Sequence, residues 1–166
     1  MLHCASKTEA ERTAWKFMEE KKPDFILNTV LPDVNLGRIL HPRIAGSSMA
    51  LTRALLQGKS AVMNMLWTQW YVDVQDNAKL HVIALLGIEV KSERIFAFAD
   101  IYTWTQIIEL MHKILPEDRC SQLVSPPENE GRALGKIIPA KRAEELLLSF
   151  YGKGWTKLAT SLTEGL

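Results

Sequence analysis

Pro23 constrains this chain more than any other residue. The run before it, Glu-Ala-Glu-Arg-Thr-Ala-Trp-Lys-Phe-Met-Glu-Glu-Lys-Lys from Glu9, places Ala10, Ala14, Phe17 and Met18 on one helical face and charge on the rest. Ser6 with Glu9 three residues on has the spacing of a capping box. A proline ring fixes φ and removes the backbone donor, so the helix stops there. The next apolar run, Phe25 to Leu31, is too short for another helix before Pro32 and reads as a strand. Helix, strand, and then a loop bearing proline and glycine as far as Gly46 is the rhythm of an α/β sheet protein.

The remaining pattern extends that rhythm. Ser47 or Ser48 is placed to cap a helix over Met49–Leu56, with Gly58 beyond it. Trp70–Val74 alternates like a strand, and Asp76 opens a helix that ends at Gly87. Arg94–Ala99 is a second apolar strand. Thr103 caps a helix carrying Ile107, Ile108, Met111 and Ile114. Val124 to Pro139 is loop-like, Lys141–Tyr151 is helical, and a short amphipathic helix follows Gly154. At 166 residues, 47% of them hydrophobic, the chain is expected to form one α/β unit with few strands.

Several classes of function are excluded. Twenty basic residues against nineteen acidic give a net charge of +1, which offers no electrostatic case for nucleic acid or an anionic membrane surface. The longest uncharged stretch, Ser60–Val72, is too short to span a bilayer. Cys4 and Cys120 are too few for a disulfide framework, and the charged start reads as no signal peptide, so a cytoplasmic, reducing setting is expected. His3, His41, His81 and His112 show no zinc-type spacing, so no metal is expected. No G-x-G-x-x-G, phosphate-binding loop or G-x-S-x-G elbow occurs.

Three ordered segments carry a resemblance. His3-Cys-Ala-Ser-Lys-Thr-Glu-Ala-Glu11 precedes the first helix and strand, and Leu31-Pro-Asp-Val-Asn-Leu-Gly37 follows them. Tyr71-Val-Asp-Val-Gln-Asp76 is followed by Ala78-Lys-Leu-His-Val-Ile-Ala-Leu85. Together these resemble the second half of an extended short-chain dehydrogenase/reductase (the NAD(P)-dependent epimerase/dehydratase family), closest to dihydroflavonol-4-reductase-like aldehyde and ketone reductases. The resemblance implies the last strands and helices of a Rossmann-like sheet plus a small substrate-binding subdomain. The N-terminal dinucleotide-binding half has no counterpart here. The family's Y-x-x-x-K motif falls on His3 and Lys7, with histidine in the tyrosine position.

The implied activity is reduction of an aldehyde or ketone by NADPH or NADH in a secondary-metabolite pathway. His3 and Lys7 would be the catalytic pair, and Lys7, Pro32, Val34, Asn35 and Ser47 the cofactor contacts. Small-molecule carbonyl compounds are the implied substrates, with self-association or pairing with another reductase chain as the implied assembly. A histidine near neutral pH is chemically suited to proton donation. Taken on the residues alone, His3 reads as a solvated terminal residue, Lys7 as a solvated helix lysine, Pro32 as a strand terminator and Ser47 as an N-cap. His81 reads as a packing histidine on an apolar helix face, and Trp67, Trp70 and Trp104 as core or interface residues. A non-catalytic remnant, or a cofactor-independent isomerase or cyclase using His3 and Lys7, are the alternatives.

Overall fold

The computed structural model describes residues 2–41, 43–44, 46–65, 69–131 and 135–166. Helix α1 spans Leu2–Lys21. It begins a turn earlier than a Ser6 cap implies. Thr8 Oγ1 donates to the Cys4 carbonyl at 3.0 Å, so this segment is already helix interior. Strand β1 is Thr29–Pro32, shorter than the apolar run around it. Asn28 explains the late start. Its amide donates to the Ala84 and Val90 carbonyls and its oxygen accepts from Glu93 N, all within 3.0 Å. The chain before it therefore runs outside the ladder, leaving Phe25 and Ile26 exposed.

After a bend at Asp33 comes strand β2, Val34–Leu36. Helix α2 covers Ser47–Ala54 and continues as a 3₁₀ turn to Gln57. Its N-cap is Gly46, at φ 69°, rather than either serine. That left-handed conformation suits glycine, and it shifts the serines into the first turn. The short helix α3, Val62–Met65, leads to strand β3, Trp70–Asp73. Helix α4 runs Val74–Leu86 and is capped by Asp73, whose side chain accepts from Gln75 N at 2.8 Å, so it starts before Asp76. Strand β4 is Arg94–Ala97 and β5 Asp100–Ile101. The apolar run stops pairing at Ala97 because the backbone turns, with Phe98 N donating to the Phe96 carbonyl. Helices α5 (Trp104–Ile114, capped by Thr103), α6 (Ala140–Tyr151) and α7 (Leu158–Gly165) complete the chain.

β1 pairs in parallel with β4, while β2 pairs in parallel with β3, whose other edge takes β5 antiparallel. Alternation along β3 separates two cores. Tyr71 faces one built from Leu36, Leu55, Tyr102, Ile107, Met111 and Leu162. Val72 faces another built from Leu80, Ile83, Ile95, Ala97, Ala143 and Leu147. The expected α/β fold with few parallel strands is what forms.

Candidate active site

Position 3, Lys7 and Glu11 recur every four residues along α1, which places them on one stripe of the helix. Of His3 only the backbone lies among the described features; Lys7 is exposed. Glu11 docks the stripe. Its Oε1 accepts from Arg94 Nε at 2.8 Å, from Thr29 Oγ1 at 2.9 Å and from Trp15 Nε1 at 3.3 Å, and its Oε2 from Arg94 at 2.9 Å. Hydrogen bonds from Arg94, ahead of the opposing cost of burial, bring the Glu11 carboxyl down to about 2.

Glu11 therefore fixes α1 to the first residues of β1 and β4, and the other end of β1 carries the next group. Pro32 is exposed, opposite Ala97 in the ladder. Asp33 makes the bend, half-buried, with Oδ2 accepting from Trp70 N at 3.2 Å. With its amide nitrogen turned to the carboxylate, Gln69 donates to Asp33 Oδ1 at 2.7 Å. Burial pushes the Asp33 carboxyl up from the usual range, against the Trp70 hydrogen bond. Val34 points into the core at 4% exposure, leaving its backbone for any contact with a ligand. Asn35 donates to the Asp33 carbonyl at 3.1 Å and accepts from Asn77 Nδ2 at 2.8 Å, which stiffens the bend.

Asn35, Gly37, Arg38 and Gly46–Met49 line a cleft of about 290 Å³ between β2 and the start of α2. The structure thus brings Asn35 and Ser47 to one cleft, with Pro32 at the head of the bend beside it. That volume, at the small end for a ligand pocket, suits one part of a dinucleotide and not the whole. The sequence contains no glycine-rich loop of the kind that seats a pyrophosphate.

A buried polar group lies behind the cleft and was not assigned a role from the sequence. Asp73 Oδ2 accepts from Ser161 Oγ at 2.7 Å, and Asp76 accepts from Thr156 N at 2.7 Å and Lys79 Nζ at 2.9 Å. Tyr71 donates to the Thr156 carbonyl at 3.1 Å, and burial first, then nearby carboxylates, pushes its phenol up to about 12. In sequence the two aspartates stand at a strand-to-helix junction, but their partners Thr156 and Ser161 lie 80 and 88 residues away. Tyr102 is fully buried and its hydroxyl has no partner among the described residues.

His81 is exposed, with Nδ1 2.9 Å from the Asn77 carbonyl, and so is no packing histidine; its helix turns that position to solvent. Trp104 is core, edge-on to Tyr102 at 5.6 Å between ring centroids, and Trp70 is half-buried against Phe98 at 6.2 Å. Trp67 lies outside the described residues. Among the described residues no cluster of His, Cys, Asp or Glu has metal-binding geometry, and no helix is long and apolar enough to cross a membrane.

No family model matches the chain. The ketoreductase adrE of Penicillium roqueforti is 45% identical over 166 residues, which is 99% of this chain and 49% of the relative. The ketoreductase nvfG of Aspergillus novofumigatus is 39% identical over 99% of this chain and 47% of its own length. The chain belongs to the extended short-chain dehydrogenase/reductase family. It spans about half the length of the curated relatives it matches and corresponds to a C-terminal portion of this reductase fold. The solved structure of yeast methylglyoxal/isovaleraldehyde reductase Gre2 complexed with NADPH superposes with a TM-score of 0.74 at 21% identity, over 96% of this chain and 52% of that one. That likeness shows the reductase fold in the C-terminal part.

Proposed function

We propose that this chain is the substrate-side half of an NADPH-dependent reductase of aldehydes or ketones in secondary metabolism, working in the cytoplasm. The observation that carries the reading is identity of 45% to a ketoreductase along 99% of this chain. The bend at Pro32–Asn35, running into a cleft floored by the first turn of α2, supports it.

Position 3 and Lys7 would sit towards the carboxyl ends of β1 and β4. A helix that leads by a short loop into a strand usually runs antiparallel to it, and Glu11 already meets the opposite strand ends. In the reaction the carbonyl carbon gains a hydride and the oxygen a proton, giving an alcohol. Bound NADPH supplies the hydride. The imidazole at position 3 gives the proton to the carbonyl oxygen, and the Lys7 ammonium holds that end of the cofactor and the charge balance. Pro32 and the Val34 backbone would flank the nicotinamide, and Asn35 and Ser47, which line the cleft, would contact the cofactor there.

The dinucleotide-binding half must come from other polypeptide, whether joined to this one or separate. The edge of β1, unpaired among the described residues, is the seat we assign to it, and self-association through that edge is the expected outcome without it. Alone, the chain should bind NADPH no tighter than micromolar by calorimetry. Combined with the dinucleotide-binding half of a related ketoreductase, it should oxidise NADPH with aldehydes or ketones. In that assembly His3→Tyr should raise turnover ~10-fold and Lys7→Ala abolish it. Turnover unchanged by both substitutions would remove positions 3 and 7 from the site.

A further inference from the structure

The cleft leans on the C-terminal helix, and α7 meets it through the buried polar group rather than through apolar packing alone. Gly37 opens the loop that forms one wall, at φ 120°. A Cβ there would fall 2.6 Å from Asp73 Oδ2, so the buried carboxylate occupies the space a side chain would take. On its other side Gly37 meets α7. A Cβ at Gly165 would lie 2.7 Å from the Gly37 carbonyl oxygen and 2.6 Å from Met49 Sδ. Met49 belongs to α2, the opposite wall of the cleft.

Asp73 is held from α7 as well. Ser161, fully buried, donates its hydroxyl to Asp73 Oδ2 at 2.7 Å, while Asp73 Oδ1 caps α4. Two further ties bind α7 to the same surroundings: Gln75 Nε2 donates to Glu164 at 2.9 Å, and Arg53 of α2 donates to the Leu166 carbonyl at 3.2 Å. One helix thus touches both walls of the cleft and the carboxylate wedged beneath the loop.

We propose that α7 is a clasp that sets the width of the Gly37 cleft, with Ser161 a positioning residue that acts through Asp73. Without the Ser161 hydroxyl, the buried Asp73 Oδ2 loses its donor and swings toward the Gly37 loop, so the loop and the first turn of α2 separate. That this matters for cofactor affinity rests on the function proposed above; the clasp itself does not.

Amide hydrogen exchange on the whole chain tests it. In Ser161→Ala, residues 36–41 and 46–50 should exchange at least ~10-fold faster, with β4 and α6 unchanged. Ser161→Thr, which keeps the hydroxyl, should restore protection. Gly165→Ala should loosen the same residues by wedging Gly37 from Met49, and it decides the matter if Ser161→Ala does not fold. Thr163→Ala should leave them unaltered, because its exposed hydroxyl bonds only within α7, to Ala159. In the assembled reductase the same Ser161→Ala change should raise the NADPH KM ~10-fold with kcat within twofold. A uniform rise in exchange across β4 and α6, or no change at residues 36–50 in both Ser161→Ala and Gly165→Ala, would overturn the clasp. A clasp confirmed by exchange with an unchanged KM would leave it standing and count against the assigned cofactor site.

Discussion

The two cores of this molecule are finished to different degrees. Around α5 and α7 every side is covered: Ile107, Met111, Tyr102 and Leu162 are 0% exposed, enclosed by β2, β3, α2 and the neighbouring helices. Around β1 and β4 only one face is. Ile95 and Ala97 pack on α4 and α6, while on the other face α1 is tied to the strands through Glu11, with Thr29 and Arg94, and has no buried side chain among its described residues. Parallel strands are ordinarily covered on both faces and paired on both edges. The difference teaches that the described residues enclose the first core on their own, while the second depends on one layer of helices and a single carboxylate docking α1.

Truncating side chains in the two regions should expose that contrast most plainly. Ile107→Ala, in the closed core, should cost about 3 kcal/mol and lower the melting temperature by roughly 10 °C. Phe17→Ala on α1, where the ring is 47% exposed, should change stability by less than about 0.5 kcal/mol. A large effect at Phe17 in dilute chain would show that α1 is already covered, by a second copy. Light scattering on the same sample then reads whether the chain has paired.

The junction between the regions is the next place to press. Gly37→Ala puts a methyl against the Asp73 carboxylate in a left-handed backbone, and should cost at least about 2 kcal/mol by thermal melting. Gly152→Ala, also at positive φ but with nothing near its added methyl, is the matched control and should cost only the backbone strain, about 1 kcal/mol.

A smaller effect separates α1 from the rest. The Glu11 carboxyl is held down near 2, so its ionised form is the one the fold favours. The stability it contributes is complete above its ordinary value of 4.5 and is lost as pH falls from there toward 2. Glu11→Gln should remove about 1 kcal/mol at pH 7, since Arg94 is half exposed and solvent screens the pair, and should flatten the acid limb of the stability curve. An unchanged acid limb would mean α1 is not docked through Glu11 in solution.

How far the sequence reveals this arrangement depends on how local the cause is. Thr103 and the Ile107, Ile108, Met111 stripe specify α5 from within a dozen residues, and the helix forms where they place it. Asn28 fails as a local signal because its three partners lie more than fifty residues away, so the start of β1 is misjudged from apolarity alone. Gly46 at the α2 N-cap is a third kind of case. Serines cap many helices, and only the positive φ shows that the glycine holds the cap here. For the site, the bend at Pro32–Asn35 was legible as a motif, whereas the Asp73–Ser161 contact joins residues 88 apart and had no local signature.

Asp33 offers the finest test, because its shift has the opposite sign to that of Glu11. Burial raises its carboxyl from 3.8, so the fold binds that proton more tightly than the unfolded chain does. Wild-type stability is therefore highest below pH 3.8 as far as this group goes, and is lost as pH rises through the raised folded value. Asp33→Asn removes the charge but keeps an acceptor for Trp70 N, and Gln69 can present its oxygen to the new amide. The variant should gain about 0.5 kcal/mol at pH 7 and converge on wild type in acid, read from denaturant melts at both pH values. A loss at pH 7 would mean that the ionised carboxylate is the form this joint is built to hold, and that burial is outweighed there by the donors from Gln69 and Trp70.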